Sequence, residues 1–366
     1  MPTRIISGPD SLERLGREVS RINRKCLLVT GRRSSRYSGA LDKVQDGLLE
    51  AKIESVLFDQ VEPNPSIETI SEGAELARAK GIRWVLGLGG GSAMDAAKAI
   101  ALMTVSQDDI RHFFKGMKPA RPPLPIVVVP TTSGTGSEVT PFAVITDQQE
   151  GDKFGLAMPQ LFPSLAFLDP KLTLSMPSSV TVDTGLDALC HAIEALFSSG
   201  RSVFSDLFAR SAMDRVISNL SVVRAEPECL EARSQMQLAS MFAGMAIADT
   251  ATLLPHAMGY PVTVRYNLPH GRSTAILTPA FLERLKETEP ERVEFVGRLL
   301  GNAADAPTAM RGFIESMGVA PRLGAYGVHE DDVLVFSEQV QGKPHLSRSP
   351  GDWDQQAILD LYRRSL

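Results

Sequence analysis

Arg83–Met103 reads RWVLGLGGGSAMDAAKAIALM. An apolar run ends in three consecutive glycines, Gly89 to Gly91, and small and apolar residues at helical spacing follow. The order is strand, tight turn, helix. Glycine lets the backbone turn sharply and come close to a ligand. The first N–H groups of the helix then point at an anion, and the helix dipole favours negative charge there. Ser92 stands where a cap would, with Asp95 at the capping-box spacing. The pattern is not GxGxxG, so the usual dinucleotide fingerprint is absent. The stretch still reads as a phosphate-binding turn on a buried strand.

Around this unit the chain alternates. KCLLVTG (25–31), ESVLFDQV (54–61), LPIVVVP (124–130) and SLAFLDP (164–170) are short, β-branched or apolar runs. SIETISEGAELARAKG (66–81) and AMDAAKAIALM (93–103) carry helical spacing. Strands alternating with helices predict a parallel α/β sheet over residues 1–175. After Met176 the texture changes. VDTGLDALCHAIEALF, VFSDLFARSAMDRVISNL and ARSQMQLASMFAGMAIADT space their apolar residues by three and four, and strand-like runs are scarce. Residues 176–366 are expected to form an all-helical domain.

Two further loops follow core strands. PTTSGTGSEVTPFAVITD begins at Pro130 and is rich in glycine and small hydroxyls from Thr131 to Thr140. Open α/β sheets bind ligands at the carboxyl ends of their strands, where this loop would lie. The first long strand ends VTGRRSSRYSG. A carboxylate near that point pairs a ribose hydroxyl and selects NAD, whereas an arginine accommodates the 2′-phosphate of NADP. Gly31 followed by Arg32 leans towards NADP(H). A solvated basic turn would look the same.

The six histidines are distributed unevenly. Asp187 and His191 are four residues apart in DTGLDALCHAIEALF, on one helical face. His256 and His270 share the stretch LPHAMGYPVTVRYNLPHG, where Pro261 and Pro269 argue against one straight helix through both. One carboxylate and three imidazoles converging from separate elements would form a first shell for a divalent transition metal. His112, His329 and His345 stand in polar surroundings and read as surface residues.

These stretches resemble the iron-containing (group III) alcohol dehydrogenases along nearly the whole chain. The resemblance rests on GLGGGSAMDAAKAIA, PTTSGTGSEVTPFAVITD, DTGLDALCHAIEALFS, GMAIADTATLLPHAMGYP and NLPHG. In detail it is closest to propanediol- and lactaldehyde-type dehydrogenases. It implies a dehydroquinate synthase-like architecture, with a dinucleotide-binding α/β domain, a helical domain and an active site in the cleft between them. It implies metal ligands at Asp187, His191, His256 and His270, with iron(II) the expected ion, although zinc, nickel, cobalt or manganese suits the same donors. It implies cofactor contacts at Gly31, Arg32, Asn64, Gly90, Gly91, Ser92, Asp95, Thr131, Thr132, Thr135, Thr140, Phe142 and Lys153. Many NAD-using members carry aspartate where Gly31 stands, which supports the lean to NADP(H). Many also carry a second histidine four residues after the third ligand, assigned to proton transfer. Here that position is Tyr260, so a role in shaping the pocket is expected of it instead.

The implied activity is hydride transfer between a nicotinamide and a small primary alcohol or aldehyde. A glycerol dehydrogenase-like polyol oxidoreductase is the nearer alternative. A non-redox dehydroquinate synthase-like enzyme is the remoter one, because the metal segments offer chiefly Arg265 and Arg272 to hold a phosphorylated acid. The bulk properties agree with a folded enzyme. The chain has 366 residues, 43% hydrophobic and 22% charged, with net charge −5. No basic surface for nucleic acid is expected, and no apolar run reaches the ~18 residues of a membrane span. Three cysteines without CxxC spacing suggest a reducing cytoplasm. A homodimer is expected by the resemblance alone.

Overall fold

The computed structural model describes residues 2–366. The chain divides into two compact units. One comprises Met1–Met176 with Pro227–Gln237, the other Pro177–Glu226 with Leu238–Leu366.

The first unit is built on a parallel sheet of six strands. In chain order the strands are β1 (Arg4–Ser7), β2 (Lys25–Gly31), β3 (Glu54–Val61), β4 (Trp84–Gly89), β5 (Ile126–Pro130) and β8 (Leu165–Leu168). In space they run β1-β8-β5-β4-β2-β3. Every residue of β4, β5 and β8 is buried. Central strands of a parallel sheet are covered on both faces, so their sequences read as unbroken apolar runs rather than alternating ones. Helices α1 (Ala40–Glu50), α2 (Ile67–Lys80) and α3 (Gly91–Val105) make the crossovers. The chain passes from β2 outward to β3, then returns to place β4 on the other side of β2. The crevice beyond the carboxyl ends of β2 and β4 is therefore the topological switch point, where sheets of this kind take their ligands. Gly31 ends β2, and Gly89 ends β4.

An antiparallel hairpin, β6 (Phe142–Asp147) with β7 (Asp152–Ala157), follows the hydroxyl-rich loop. Neither it nor β1 is anticipated by the sequence reading above. β1 has only four residues, too few to show a period. The start of α3 also departs from expectation. Gly90 is its N-cap, and no side chain caps it. The Ser92 hydroxyl instead accepts from the backbone N–H of Asn64 at 3.2 Å, and the Asp95 carboxylate accepts from Ser137 and Val144.

The second unit is helical. Its longer helices are α4 (Ser178–Phe197), α5 (Val203–Ala225), the greater part of α6 (Leu230–Thr250), α7 (Leu254–Tyr266), α8 (His270–Leu285), α9 (Pro290–Leu299), α10 (Ala306–Ser316), α11 (Glu330–Val340) and α12 (Gln355–Ser365). Pro261 lies inside α7 and does not end it. The break between His256 and His270 falls later, at Asn267, whose left-handed backbone (φ 50°) stops α7, and at Pro269, the N-cap of α8. α6 and α7 meet at a bend of 111° across residues 251–253. The buried Tyr362 hydroxyl of α12 donates to the carbonyl of Met258 at 2.6 Å and fixes α7 from behind. Among the described residues no single helix is long and apolar enough to cross a bilayer.

Candidate functional site

The sheet unit gathers most of the expected cofactor residues at the strand ends. Gly90 and Gly91 lie against the hydroxyl loop. A Cβ on Gly91 would stand 2.6 Å from Thr135 Cγ2, and one on Gly90 would stand 3.2 Å from Thr132. Side chains at these two positions would push the loop off the helix start and cover its free N–H groups. Asn64, in a left-handed conformation at φ 57°, accepts at Oδ1 from Lys153 Nζ at 2.7 Å. Its carbonyl accepts from Thr146 Oγ1 at 3.1 Å. Thr131 is buried, and its N–H donates to the carbonyl of Gly89 at 2.9 Å. Gly31 has room beside it, since an added Cβ would find nothing closer than the Val61 carbonyl at 3.5 Å. Arg32 is exposed.

Asp95 is committed within the protein. Its Oδ1 accepts from Ser137 Oγ at 2.6 Å, and its Oδ2 accepts from the N–H of Val144 at 2.9 Å. Lys98, one turn on, is a residue the sequence reading passed over. It is 0% exposed. Its Nζ donates to the carbonyls of Ser137, Thr140 and Phe142 at 2.7, 3.0 and 2.7 Å, and to Ser137 Oγ at 2.7 Å. Burial lowers its pKa to about 8, with Asp95 and Glu138 acting in the opposite sense. The pair binds the hydroxyl loop and β6 to α3, which fixes the loop's shape over the glycine turn.

The helical unit holds the second constellation. Asp187, His256 and His270 each offer a donor atom, and these atoms lie within 4.8 Å of one another. Asp187 Oδ1 and His256 Nε2 are 3.7 Å apart, too far for a hydrogen bond. Both atoms are closed to solvent and neither meets a hydrogen-bond partner. Two buried polar atoms facing each other across such a gap leave a ligand or ion to satisfy them. His191, one turn from Asp187, stacks its ring on that of His256 with centroids 4.5 Å apart. His256 and His270 meet edge to face at 5.2 Å. Burial would raise the Asp187 carboxyl, but the imidazoles of His191, His256 and His270 outweigh it and hold the group well below the usual range. Burial likewise disfavours charge on His256, yet the carboxylates of Glu194 and Asp187 prevail and raise it to about 9. The Asp187 carboxylate and the His256 and His270 imidazoles converge, with the His191 ring stacked beside them, and donors of these types fit a first-row divalent metal.

Glu194 is a second residue that the sequence alone did not bring forward. It lies on α4 seven residues after Asp187, on the same face, which is the signal that could have found it. Fully buried, its Oε1 pairs with His256 Nδ1 at 2.6 Å, and its Oε2 accepts from the N–H of Leu253 at 2.5 Å. One carboxylate thus fixes both the ring of His256 and the start of α7. A proton held on Nδ1 leaves Nε2 as the lone-pair donor, the arrangement found behind metal-bound imidazoles. His270 is brought in by a close crossing of α4 and α8. Arg272 grips Asp183 through Nε at 2.8 Å and Nη2 at 3.2 Å.

Tyr260 is 8% exposed and stacks on His270 with centroids 5.5 Å apart. It therefore borders the donor cluster, as its spacing from His256 predicted. His345 is not the surface residue expected of it. Its ring meets Tyr260 edge to face at 5.6 Å, and Lys343 Nζ lies 5.3 Å from the Tyr260 ring centre.

Comparison with known proteins bears on both constellations. Residues 2–170 match the model described as iron-containing alcohol dehydrogenase. Residues 181–366 match that of the Fe-containing alcohol dehydrogenase family, C-terminal. A protein named NADPH-dependent butanol dehydrogenase from Clostridium saccharobutylicum is 34% identical, over 99% of this chain and 96% of its own length. One named choline dehydrogenase from Bacillus subtilis is 33% identical, over 100% of this chain and 94% of its own. Among solved structures, an iron-containing alcohol dehydrogenase from Thermotoga maritima superposes with a TM-score of 0.91 at 36% identity, covering 100% of this chain and 98% of that one. A structure described as 1,3-propanediol oxidoreductase gives 0.95 at 30%, with the same coverage.

Proposed function

The chain belongs to the iron-containing alcohol dehydrogenase family, and from that premise we propose that Asp187, His191, His256 and His270 hold its divalent metal, with iron(II) the ion used. The activity is that of an NAD(P)-dependent alcohol dehydrogenase, running as an aldehyde reductase in reverse. The observation that carries the metal assignment is the unfilled pairing of Asp187 Oδ1 with His256 Nε2 at 3.7 Å, two atoms closed to solvent. A bound divalent ion supplies Lewis acidity to an alcohol or carbonyl oxygen. The protein's own part is orientation. Glu194 fixes the tautomer and angle of His256, and Arg272 with Asp183 sets the start of α8 beside Asp187. The glycine turn presents the first N–H groups of α3 to the cofactor's phosphates, and Thr131, Thr132, Thr135, Thr140, Phe142, Asn64 and Lys153 frame them. A small primary alcohol or aldehyde is the substrate class. A homodimer in the cytoplasm belongs to the same proposal and is carried by the family resemblance. The test is metal analysis of the purified protein paired with an alcohol and aldehyde panel, run with NADPH and NADH. Protein free of transition metal yet fully active would overturn the assignment.

NADP(H) is the favoured cofactor. Gly31 brings no carboxylate to the ribose, Arg32 and Arg33 follow it, and an added side chain has space. Gly31→Asp is expected to move the NADPH-to-NADH ratio of kcat/KM at least about tenfold towards NADH, because a carboxylate pairs a ribose hydroxyl and repels a 2′-phosphate. An unchanged ratio would place the selecting residue elsewhere.

Tyr260 is assigned to the pocket wall. Tyr260→Phe keeps the ring that lies on His270 and removes only the hydroxyl, and a phenol is ordinarily a poor proton acceptor. Turnover should fall by less than about tenfold. A loss on the order of a thousandfold would instead make the hydroxyl the proton carrier.

A further inference from the structure

His345 has no part in the metal assignment, yet it is placed with care. It opens a short helix, His345–Arg348, behind Pro344. The carbonyl of Arg348 accepts from the N–H of Ser199, just beyond the end of α4, at 2.9 Å. Ser349 Oγ accepts from the N–H of Leu254, the first residue of α7, at 2.9 Å, and donates to the carbonyl of His345 at 2.9 Å. The segment is therefore pinned to the end of α4 and the start of α7, two of the three helices that carry candidate metal ligands. Its position does not depend on the imidazole.

The half-buried imidazole meets the Tyr260 ring edge to face. Its Nδ1 is closed to solvent and meets no hydrogen-bond partner among the described residues. A structural histidine of this kind normally satisfies its buried nitrogens within the protein. Burial, then the positive charges of His256 and Lys343, push its pKa down to about 3, so the ring is neutral in working conditions. A neutral imidazole carries one donor and one acceptor. It can hydrogen-bond a ligand whichever tautomer it adopts.

We infer that His345 is a specificity-determining residue, which hydrogen-bonds a polar group on the carbon chain of a substrate lying over Tyr260. The inference rests on the alcohol dehydrogenase reading and adds a preference to it. An alkyl chain in that place leaves the imidazole nitrogen unpaired, whereas a hydroxyl pairs it. The difference corresponds to roughly tenfold or more in kcat/KM.

Four-carbon alcohols of matched length separate the possibilities. The metal-loaded protein is assayed with 1-butanol and with 1,2-, 1,3- and 1,4-butanediol. At least one diol is expected to exceed 1-butanol in kcat/KM by about tenfold or more. His345→Leu should bring that ratio to near unity, chiefly through the KM of the diol, and His345→Gln, which keeps a donor and an acceptor, should recover part of it. In the zinc-loaded protein, the imidazole nitrogen resonances of His345 should shift on adding the preferred diol and not on adding 1-butanol. Equal losses on all four alcohols in both variants, or a parent protein without preference, would overturn the role of His345 and leave the enzyme assignment standing. Turnover of none of the four with either nicotinamide, in protein of confirmed metal content, would overturn the assignment and the inference together.

Discussion

Asp187→Asn is expected to abolish metal retention and to lower alcohol turnover by about a thousandfold, equivalent to ~4 kcal/mol. The substitution changes almost no volume. What it removes is the one negative charge offered directly by the cluster, since Glu194 is already engaged by His256 and Leu253. Three imidazoles and an amide oxygen hold a divalent cation far less well than three imidazoles and a carboxylate, because hard cations favour charged oxygen donors. His256→Ala should fail similarly but is the less clean experiment. It strands the buried Glu194 carboxylate without its ring partner, and breaking a buried charged pair destabilises by roughly 3–5 kcal/mol. The measurement is metal content per chain and turnover, alongside a thermal melt in chelator to show that the variant folds. Asp187→Asn protein that keeps a full complement of metal and parental turnover would remove Asp187 from the ligand set.

Gly271→Ala should be the second severe change, though the residue is no candidate ligand. Its added Cβ would fall 2.1 Å from the carbonyl oxygen of Asp183, 2.7 Å from Asp187 Cβ and 3.0 Å from the Asp187 nitrogen. The first and third obstacles are backbone atoms of α4, so no rotamer change relieves the clash. The first turn of α8 must move away from α4, and His270 immediately before it moves too. Overpacking of this kind destabilises by roughly 1–3 kcal/mol, occasionally more. Metal affinity should drop by about ten- to hundredfold, the scale seen when the support of a ligand is lost. Gly312→Ala is the matched control. That glycine lies inside α10 with nothing within 4 Å of the added atom, and alanine there should stabilise by about 0.5–1 kcal/mol. The pair of variants is read by thermal melts with and without excess metal. A Gly271→Ala protein that melts like its parent and binds metal as tightly would mean that α4 and α8 do not cross this closely.

These two residues show where sequence reading succeeds and where it stops. The parallel sheet was legible because buried strands such as Val85–Leu88 and Ile126–Val129 are continuous apolar runs, a local property. Asp187 and His191 were legible because a four-residue spacing on one helix is also local. The convergence of His256 and His270 on that helix is expected from Pro261 and Pro269, and of the two only Pro269 stands at the break, since Pro261 is accommodated within α7. Glu194, Lys98 and His345 escaped for a common reason. Each matters through partners 39 to 62 positions away, or through ring contacts 85 positions away, and no local period encodes such pairings. Ser92 shows the converse. It has the right spacing for a cap, and only the position of Asn64 reveals that its hydroxyl is used elsewhere.

The sealing of Asp187 Oδ1 and His256 Nε2 from solvent has a kinetic side. Helices α4 and α7, joined by Glu194, close around the donors as the chain folds. Release of an ion from these two buried donors would need that part of the molecule to open locally, although the third donor residue, His270, is only half-buried. Exchange would then be slow compared with the life of a preparation. The metal recovered with the protein would record which ions the cell had free while the chain was being made, more than which ion binds best. Soaking finished protein in a second metal would test accessibility, whereas changing the growth medium would test preference.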